Sequence, residues 1–159
     1  MQNRSRAGKA LTFLFAAGSA VALAAPAGNL AARPTGAQVV VDITNLRNHD
    51  GVVRACMTRD ASRFPRCQGS SQGYSVVVPA GRAATLRFND VAPGTYAIAL
   101  LHDENDNGKA DRVLGMMPRE GFGFSNDAPV NMGPPEFSEA AITVGAASLH
   151  QSIRMRYML

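Results

Sequence analysis

From residue 37 onward, apolar and polar positions alternate with a period of two almost throughout, as in strands that turn one face to a core. Val39, Val41 and Ile43, set against Val40, Asp42 and Thr44, predict a first strand. Asn48-His49-Asp50-Gly51 predicts a turn, because Gly51 tolerates the positive φ that hairpins often need. A second strand is expected from Gly51 to Thr58. Residues 59–73 are polar and break the pattern, which predicts a loop. Tyr74, Val76 and Val78 mark a third strand, stopped by Pro79-Ala80-Gly81. Ala84, Leu86 and Phe88 share one face of a fourth, and Pro93-Gly94 makes a tight turn into a fifth carrying Tyr96, Ile98 and Leu100. Ala140 to Val144 gives a sixth strand. Ile153, Met155, Tyr157 and Leu159 alternate with Ser152, Arg154 and Arg156 in a seventh that runs to the last residue.

No part of this region carries a sustained helical stripe. About seven short strands with Gly and Pro turns predict an all-β fold, an antiparallel two-layer β-sandwich. An outer-membrane barrel would need longer strands and two aromatic girdles. With aromatics at 6% and no Trp, those girdles cannot be built.

The first two dozen residues follow another rule. Arg4, Arg6 and Lys9 precede an uncharged run from Ala10 to Ala24 that ends in the small-x-small site Ala22-Leu23-Ala24, with Ala25-Pro26-Ala27 as an alternative ending. This order predicts a secretory signal at 1–24, cleaved after Ala24 or after Ala27. The run is shorter than the roughly 20 residues that span a bilayer. Residues 25–36 read as a flexible lead-in, and 37–159 as a single domain. The expected location is periplasmic or secreted.

Export changes how the charge and the cysteines are read. Losing three of the 16 basic residues leaves 13 against 12 acidic ones, a net +1, so the chain offers no electrostatic case for nucleic acid. The mature chain carries no transmembrane segment. In an oxidising compartment Cys56 and Cys67 are expected to form a disulfide that clips the 59–73 loop at its base.

One segment carries chemistry. The fifth strand runs into His102-Asp103-Glu104-Asn105-Asp106-Asn107-Gly108-Lys109-Ala110-Asp111. Oxygen-bearing side chains at Asp103, Asn105, Asn107 and Asp111 fall at relative positions 1, 3, 5 and 9 of a calcium loop. Gly108 stands at the sharp-turn position 6, and Lys109 can offer its backbone carbonyl at position 7. Alternate residues of such a loop point at one centre, so Glu104 and Asp106 are expected to point away. Position 12, where an EF-hand places a bidentate Glu, is Leu114, and a strand replaces the preceding helix. The missing ligand has to come from water, from Glu120, or from elsewhere in the fold. Calcium is the expected cofactor, in a structural role, with affinity near ~10⁻⁴–10⁻³ M.

Beyond this loop, Arg112 to Phe137 is the least regular stretch, with four prolines and four glycines. Long irregular stretches in compact domains are usually functional or disordered. Phe122 and Phe124 argue against disorder, since they need burial; the simplest expectation is that they pack the stretch onto the sandwich. Ordered by calcium, Phe122, Phe124, Ser125 and Asn126 are a candidate binding loop.

Several runs together resemble a known family. They are Phe88-Asn89-Asp90-Val91-Ala92-Pro93-Gly94-Thr95-Tyr96-Ala97, the acidic loop, Leu114-Gly115, Pro118-Arg119-Glu120-Gly121-Phe122-Gly123-Phe124-Ser125-Asn126 and Pro134-Pro135-Glu136-Phe137. In this order they are similar to the exported bacterial family known as domain of unknown function 2141, over most of the chain from about Val39 to the last strand. The resemblance implies a signal peptide and an Ig-like or prealbumin-like β-sandwich, and no established activity. The arrangement also resembles prealbumin-like and adhesin-repeat sandwiches, which act as binding or spacer modules.

Two functions are therefore expected to compete. The first is a non-enzymatic, calcium-stabilised extracytoplasmic module that binds an unknown protein or glycan partner or supports the envelope. The alternative is a small hydrolase or metal-dependent enzyme using His102 and the 112–137 loop. No His-Glu-x-x-His or phosphate loop occurs, and no catalytic residue is assigned. The first reading is preferred.

Overall fold

A computed structural model describes residues 36–67, 73–82, 85–113 and 117–159. The export signal read at 1–24, the lead-in as far as residue 35, Ala84 and Leu114 lie outside the described residues.

Two sheets face each other. The smaller has the order β10-β1-β4 and is built from β1 (Ala37–Thr44), β4 (Thr85–Val91) and β10 (Leu149–Arg154). The larger follows β3-β2-β5-β8 and is built from β2 (Val52–Thr58), β3 (Gly73–Pro79), β5 (Gly94–Asp103) and β8 (Gly121–Phe124), with β9 (Ala141–Val144) also paired to β5. Between them lies the main core, where Val39, Val41, Val53, Met57, Leu86, Phe88, Tyr96 and Ile98 are buried. The alternation predicted for the first five strands is the alternation that fills this core. The fold is the expected all-β sandwich.

The expected disulfide joins Cys56 on β2 to Cys67, closing the 59–66 loop. The Tyr96 hydroxyl donates to the Ala92 carbonyl at 2.8 Å, pinning the Pro93-Gly94 turn back onto the strand that follows it. This is the tyrosine-corner device of Ig-like sandwiches.

Strand β5 departs from a simple half-buried strand. Tyr96, Ile98 and Leu100 face the main core, while Ala97 and Ala99 on the opposite face are also buried, in a second apolar cluster with Phe124, Ala128 and Ala140. Phe64, Phe122, Val130 and Phe137 pack around that cluster, joined by edge-to-face contacts of Phe64 with Phe124 and Phe137. The stretch expected to be least regular therefore contributes a strand and roofs the sheet. It also holds the two-residue ladder of β6 (Arg112–Val113) and β7 (Met117–Pro118), and it ends in α1 (Phe137–Ala140). β8 escapes the alternation rule because Gly121 and Gly123 occupy its core-side positions. A Cβ on Gly123 would lie 2.8 Å from Ile153 and 3.3 Å from the Met155 sulfur, so a side chain there would collide with the core.

Two further expectations are corrected. The last strand does not run to Leu159: β10 covers Leu149–Arg154, and it pairs parallel, not antiparallel, with β1. Met155 and Tyr157 still alternate because the tail crosses from one sheet to the other. Met155 N–H donates to the Thr44 carbonyl, and Arg156 pairs with Phe122 of β8. Alternation records burial and is blind to which backbone is the partner.

Along one edge of β5 two short strands follow each other. β9 pairs Gly94–Ala97 and β8 pairs Ala99–His102, which leaves Ile98 at the junction. Its N–H donates to the Ser125 hydroxyl at 2.9 Å, and that hydroxyl in turn donates to the Ala140 carbonyl. Ser125 is fully buried, so its side chain replaces a missing ladder bond. Ser125→Ala should strand a buried donor and a buried acceptor and cost about 2–4 kcal/mol, measured by urea denaturation against wild type. A cost within experimental error of zero would show that the junction is not needed.

Candidate functional site

The acidic loop begins on the last residue of β5. Register carries Asp103 to that point: Val52 of β2 pairs with Asp103, and the chain leaves the ladder immediately afterwards. Gly51 (φ +61°) backs the loop so closely that a Cβ there would fall within 2.7 Å of Glu104 main-chain atoms. The turn at Gly51 and the start of the loop are thus built against each other.

Asp103 is fully buried and carries three hydrogen bonds. Its Oδ1 accepts from Asn107 N–H at 3.0 Å, and its Oδ2 accepts from Gly108 N–H at 2.8 Å and from Arg54 Nε at 2.6 Å. Burial works against its ionisation, but the Arg54 guanidinium and the two main-chain donors outweigh it and hold the carboxyl below its ordinary range. The same guanidinium reaches Asp106 at 2.6 Å. Arg54 stands opposite Leu101 in the β2–β5 register, so it shares a face with Asp103 two residues on.

The remaining positions fold as a chain of side-chain-capped turns. Asn105 Oδ1 accepts from Asn107 N–H at 3.2 Å, and Asn107 Oδ1 accepts from Lys109 N–H at 2.8 Å. Both amide NH2 groups donate to Asp111 Oδ2 at 2.9 Å. Gly108 (φ +76°) makes the sharp turn expected at position 6. The side chains of Asp103, Asn105, Asn107 and Asp111 are thereby tied into one hydrogen-bonded unit, and each accepting oxygen with a single donor keeps a second lone pair. Glu104 and Asp106 point away, the first to Arg47 and Asn48 and the second to Arg54.

Glu120 arrives from the far side of the β6–β7 ladder. It is buried, at 3% exposure, and its Oε2 accepts from Asp111 N–H at 3.1 Å. Its other oxygen, Oε1, is buried with no hydrogen-bond partner. Burial raises its pKa, as do the charges of Asp103 and Asp111, while the main-chain N–H groups of Asp111 and Glu104 oppose them. Among the described residues, no group of three or more His, Cys, Asp and Glu side chains is assembled to hold a metal ion. The donor set is a mixture of carboxylates, amides and main chain, the chemistry of a hard oxygen-seeking cation and not of zinc.

His102, the residue on which the enzyme alternative rests, is fully buried. Its Nε2 donates to the Asp50 carbonyl at 2.9 Å, and its Nδ1 lies 2.8 Å from the Tyr157 hydroxyl. Both ring nitrogens are thus engaged, and neither faces solvent.

The candidate binding loop is likewise turned inward. Phe124 and Ser125 are buried, Phe122 is half-buried, and the exposed Asn126 donates its amide to the Ala141 carbonyl at 2.8 Å. Phe122 and Phe124 pack this stretch onto the sandwich, and Ser125 is spent on the β5 junction, which leaves Asn126 as the exposed member of the four.

Arg54, Arg47 and Tyr157 were not singled out by spacing. Arg47 grips Glu104 with two bonds at 2.7 and 2.6 Å, donates to the Leu159 carbonyl, and lies 4.6 Å over the Tyr157 ring. The signal for Arg54 was faint: it is the one charged side chain within β2.

Residues 41–152 match the model of a family described as "Uncharacterized protein conserved in bacteria (DUF2141)". The match spans well over half of the sequence, and the chain belongs to this family. No curated protein matches it. Among solved structures, a pilus-presented adhesin (Cpa) is similar at 10% identity and a TM-score of 0.34, over 78% of this chain. The chain spans about a quarter of that adhesin, 27% of its length.

The Arg47 pair gives the site a pH signature. The guanidinium holds the Glu104 carboxyl below its ordinary range, with burial opposing. A depressed folded-state pKa stabilises above the unfolded value, near ~4.3, and the contribution is lost as pH falls through the folded value. Glu104→Gln should therefore cost roughly 1 kcal/mol at neutral pH, as expected of a partly exposed pair. The cost should shrink as pH falls below the unfolded value and through the depressed folded value, where wild type itself protonates. Urea denaturation across that acid range checks this, and a cost that does not change with pH would overturn it.

Proposed function

We propose that this protein is a non-enzymatic, extracytoplasmic β-sandwich module, a binding or envelope-associated protein, whose acidic loop holds a structural calcium ion. The observation that carries the reading is the loop itself. Asp103, Asn105, Asn107 and Asp111 are drawn into one hydrogen-bonded unit at the end of β5, with Gly108 at the turn. Asp103, Asn105, Asn107, the Lys109 carbonyl and Asp111 are the ligands. Calcium suits them because it accepts six to eight oxygens in a flexible geometry, whereas magnesium demands a near-ideal octahedron.

The extracytoplasmic placement is supported by the Cys56–Cys67 bridge, which persists in an oxidising compartment. Among the described residues, no helix is long and apolar enough to cross a membrane. The non-enzymatic reading is supported by His102, whose ring is committed to Asp50 and Tyr157. Its role is to tie the start of the loop to the Asn48–Gly51 turn and to the C-terminal tail. The partner is a protein or a surface glycan.

Thermal unfolding with calcium, magnesium or chelator tests the metal. A ligand that binds only the folded state at about 10 to 100 times its dissociation constant stabilises by about 1.4–2.7 kcal/mol. For a domain of this size that raises Tm by roughly 4–12 °C. Asp103→Asn should remove the calcium shift measured against its own chelated baseline. A wild-type shift no larger in calcium than in magnesium sinks the proposal.

A further inference from the structure

We propose that Glu120 supplies the closing ligand of the cation site, so that the ion clasps the acidic loop to the segment that returns from the β6–β7 ladder. This rests on the reading of the loop as a calcium site and goes on to name the ligand that the loop lacks. The loop alone ends at its ninth position. Arg112 pairs with Pro118 and Val113 with Met117, and Arg119 N–H donates to the Asp111 carbonyl at 2.9 Å. This short hairpin carries residue 120 back beside residue 111, although nine positions separate them.

Two facts about Glu120 are independent of the loop's own turns. It is almost wholly buried, and its Oε1 has no donor in hydrogen-bond geometry, although the Glu104 main-chain N–H bears on the carboxylate. A buried carboxylate oxygen without a partner is costly in a folded protein. Among the described residues no side chain donates to it: Arg54 is taken up by Asp103 and Asp106, and Arg47, whose charge Glu120 also feels, by Glu104. The charges that bear on Glu120 from the loop are the carboxylates of Asp103 and Asp111, which make matters worse. A divalent cation resolves all three at once. Glu120 then completes six donor positions with Asp103, Asn105, Asn107, the Lys109 carbonyl and Asp111, the lower end of what calcium accepts.

The alternative is that Glu120 only caps Asp111 N–H. The two roles predict opposite results for Glu120→Gln, which keeps the shape and an accepting oxygen. As a ligand, Glu120 is needed for calcium but is a burden without it. The variant should then bind calcium at least tenfold more weakly by isothermal titration, while its Tm in chelator equals or exceeds that of wild type. Glu120→Asp keeps the charge and shortens the reach, so it should lose less affinity than Glu120→Gln. It also serves if the Gln variant does not fold. If both variants bind calcium as wild type does, Glu120 is not a ligand. If Glu120→Gln lowers Tm in chelator with affinity unchanged, it is a cap. If wild type itself gives no calcium isotherm, the calcium reading falls, and this inference with it.

Discussion

Strand β5 is covered on both faces and paired along both edges, and the rest of the molecule is arranged around that constraint. A central strand with no open side needs apolar residues at every position and a backbone partner for every amide. The sequence meets the first need by placing large side chains toward the main core and alanines toward the second cluster. The second need fails at one residue, Ile98, where β9 ends and β8 has yet to begin. Ser125 meets it there with a side-chain hydroxyl, which ties the chain between β8 and α1 to the middle of the sheet.

The same constraint produces the acidic site. Because β5 is covered to its end, its last residue, Asp103, carries a charge with no access to water, and the local structure is organised to stabilise that charge. Two main-chain donors and one guanidinium converge on it, and the loop must curl to bring Asn107 and Gly108 back. The curl that satisfies Asp103 also draws in Asn105, Asn107 and Asp111. Arg54 and Arg47 grip the outward-facing Asp106 and Glu104 and brace the two shoulders of the loop. A cation at the proposed site would meet Arg54 already bound to Asp103 and compete with a charge of the protein's own, which favours weak affinity.

Much of this was legible from residue types at fixed spacing. The positions of β1 to β5, the Gly51 turn and the inward and outward sides of the acidic loop follow from period-two alternation or from local turn chemistry, and the Cys56–Cys67 bridge from the pairing expected of two cysteines in an oxidising compartment. What escaped was set by register and by close approach. The run Gly121–Phe124 does not read as a strand, because glycine at its inward positions leaves no apolar alternation to detect. The parallel pairing of β10 with β1 joins residues about 110 apart, and nothing local encodes it. Arg54 became a partner of Asp103 only once β2 and β5 had fixed their register. The tail of Met155 and Tyr157 kept its alternation while leaving the sheet, since burial, not pairing, sets that pattern.

The runs that carry the family resemblance can now be divided by what each residue does. Tyr96 pins the Pro93-Gly94 turn, His102 bonds Asp50 and Tyr157, Gly123 admits Ile153 and Met155, Ser125 closes the β5 junction, and Asn126 holds Ala141. All of these are accounted for by architecture, and a sandwich lacking one of them would be less stable. The acidic loop and Glu120 are different. A turn of ten residues could leave β5 without converging amides and carboxylates, and without burying a glutamate beside two aspartates with one oxygen unpaired. Architecture accounts for the curl around Asp103, but it gives the buried Glu120 oxygen a cost and no benefit. Sites that break local rules of charge and solvation in an otherwise consistent fold are where function is expected to lie, and in this chain the break falls at Asp103, Asp111 and Glu120.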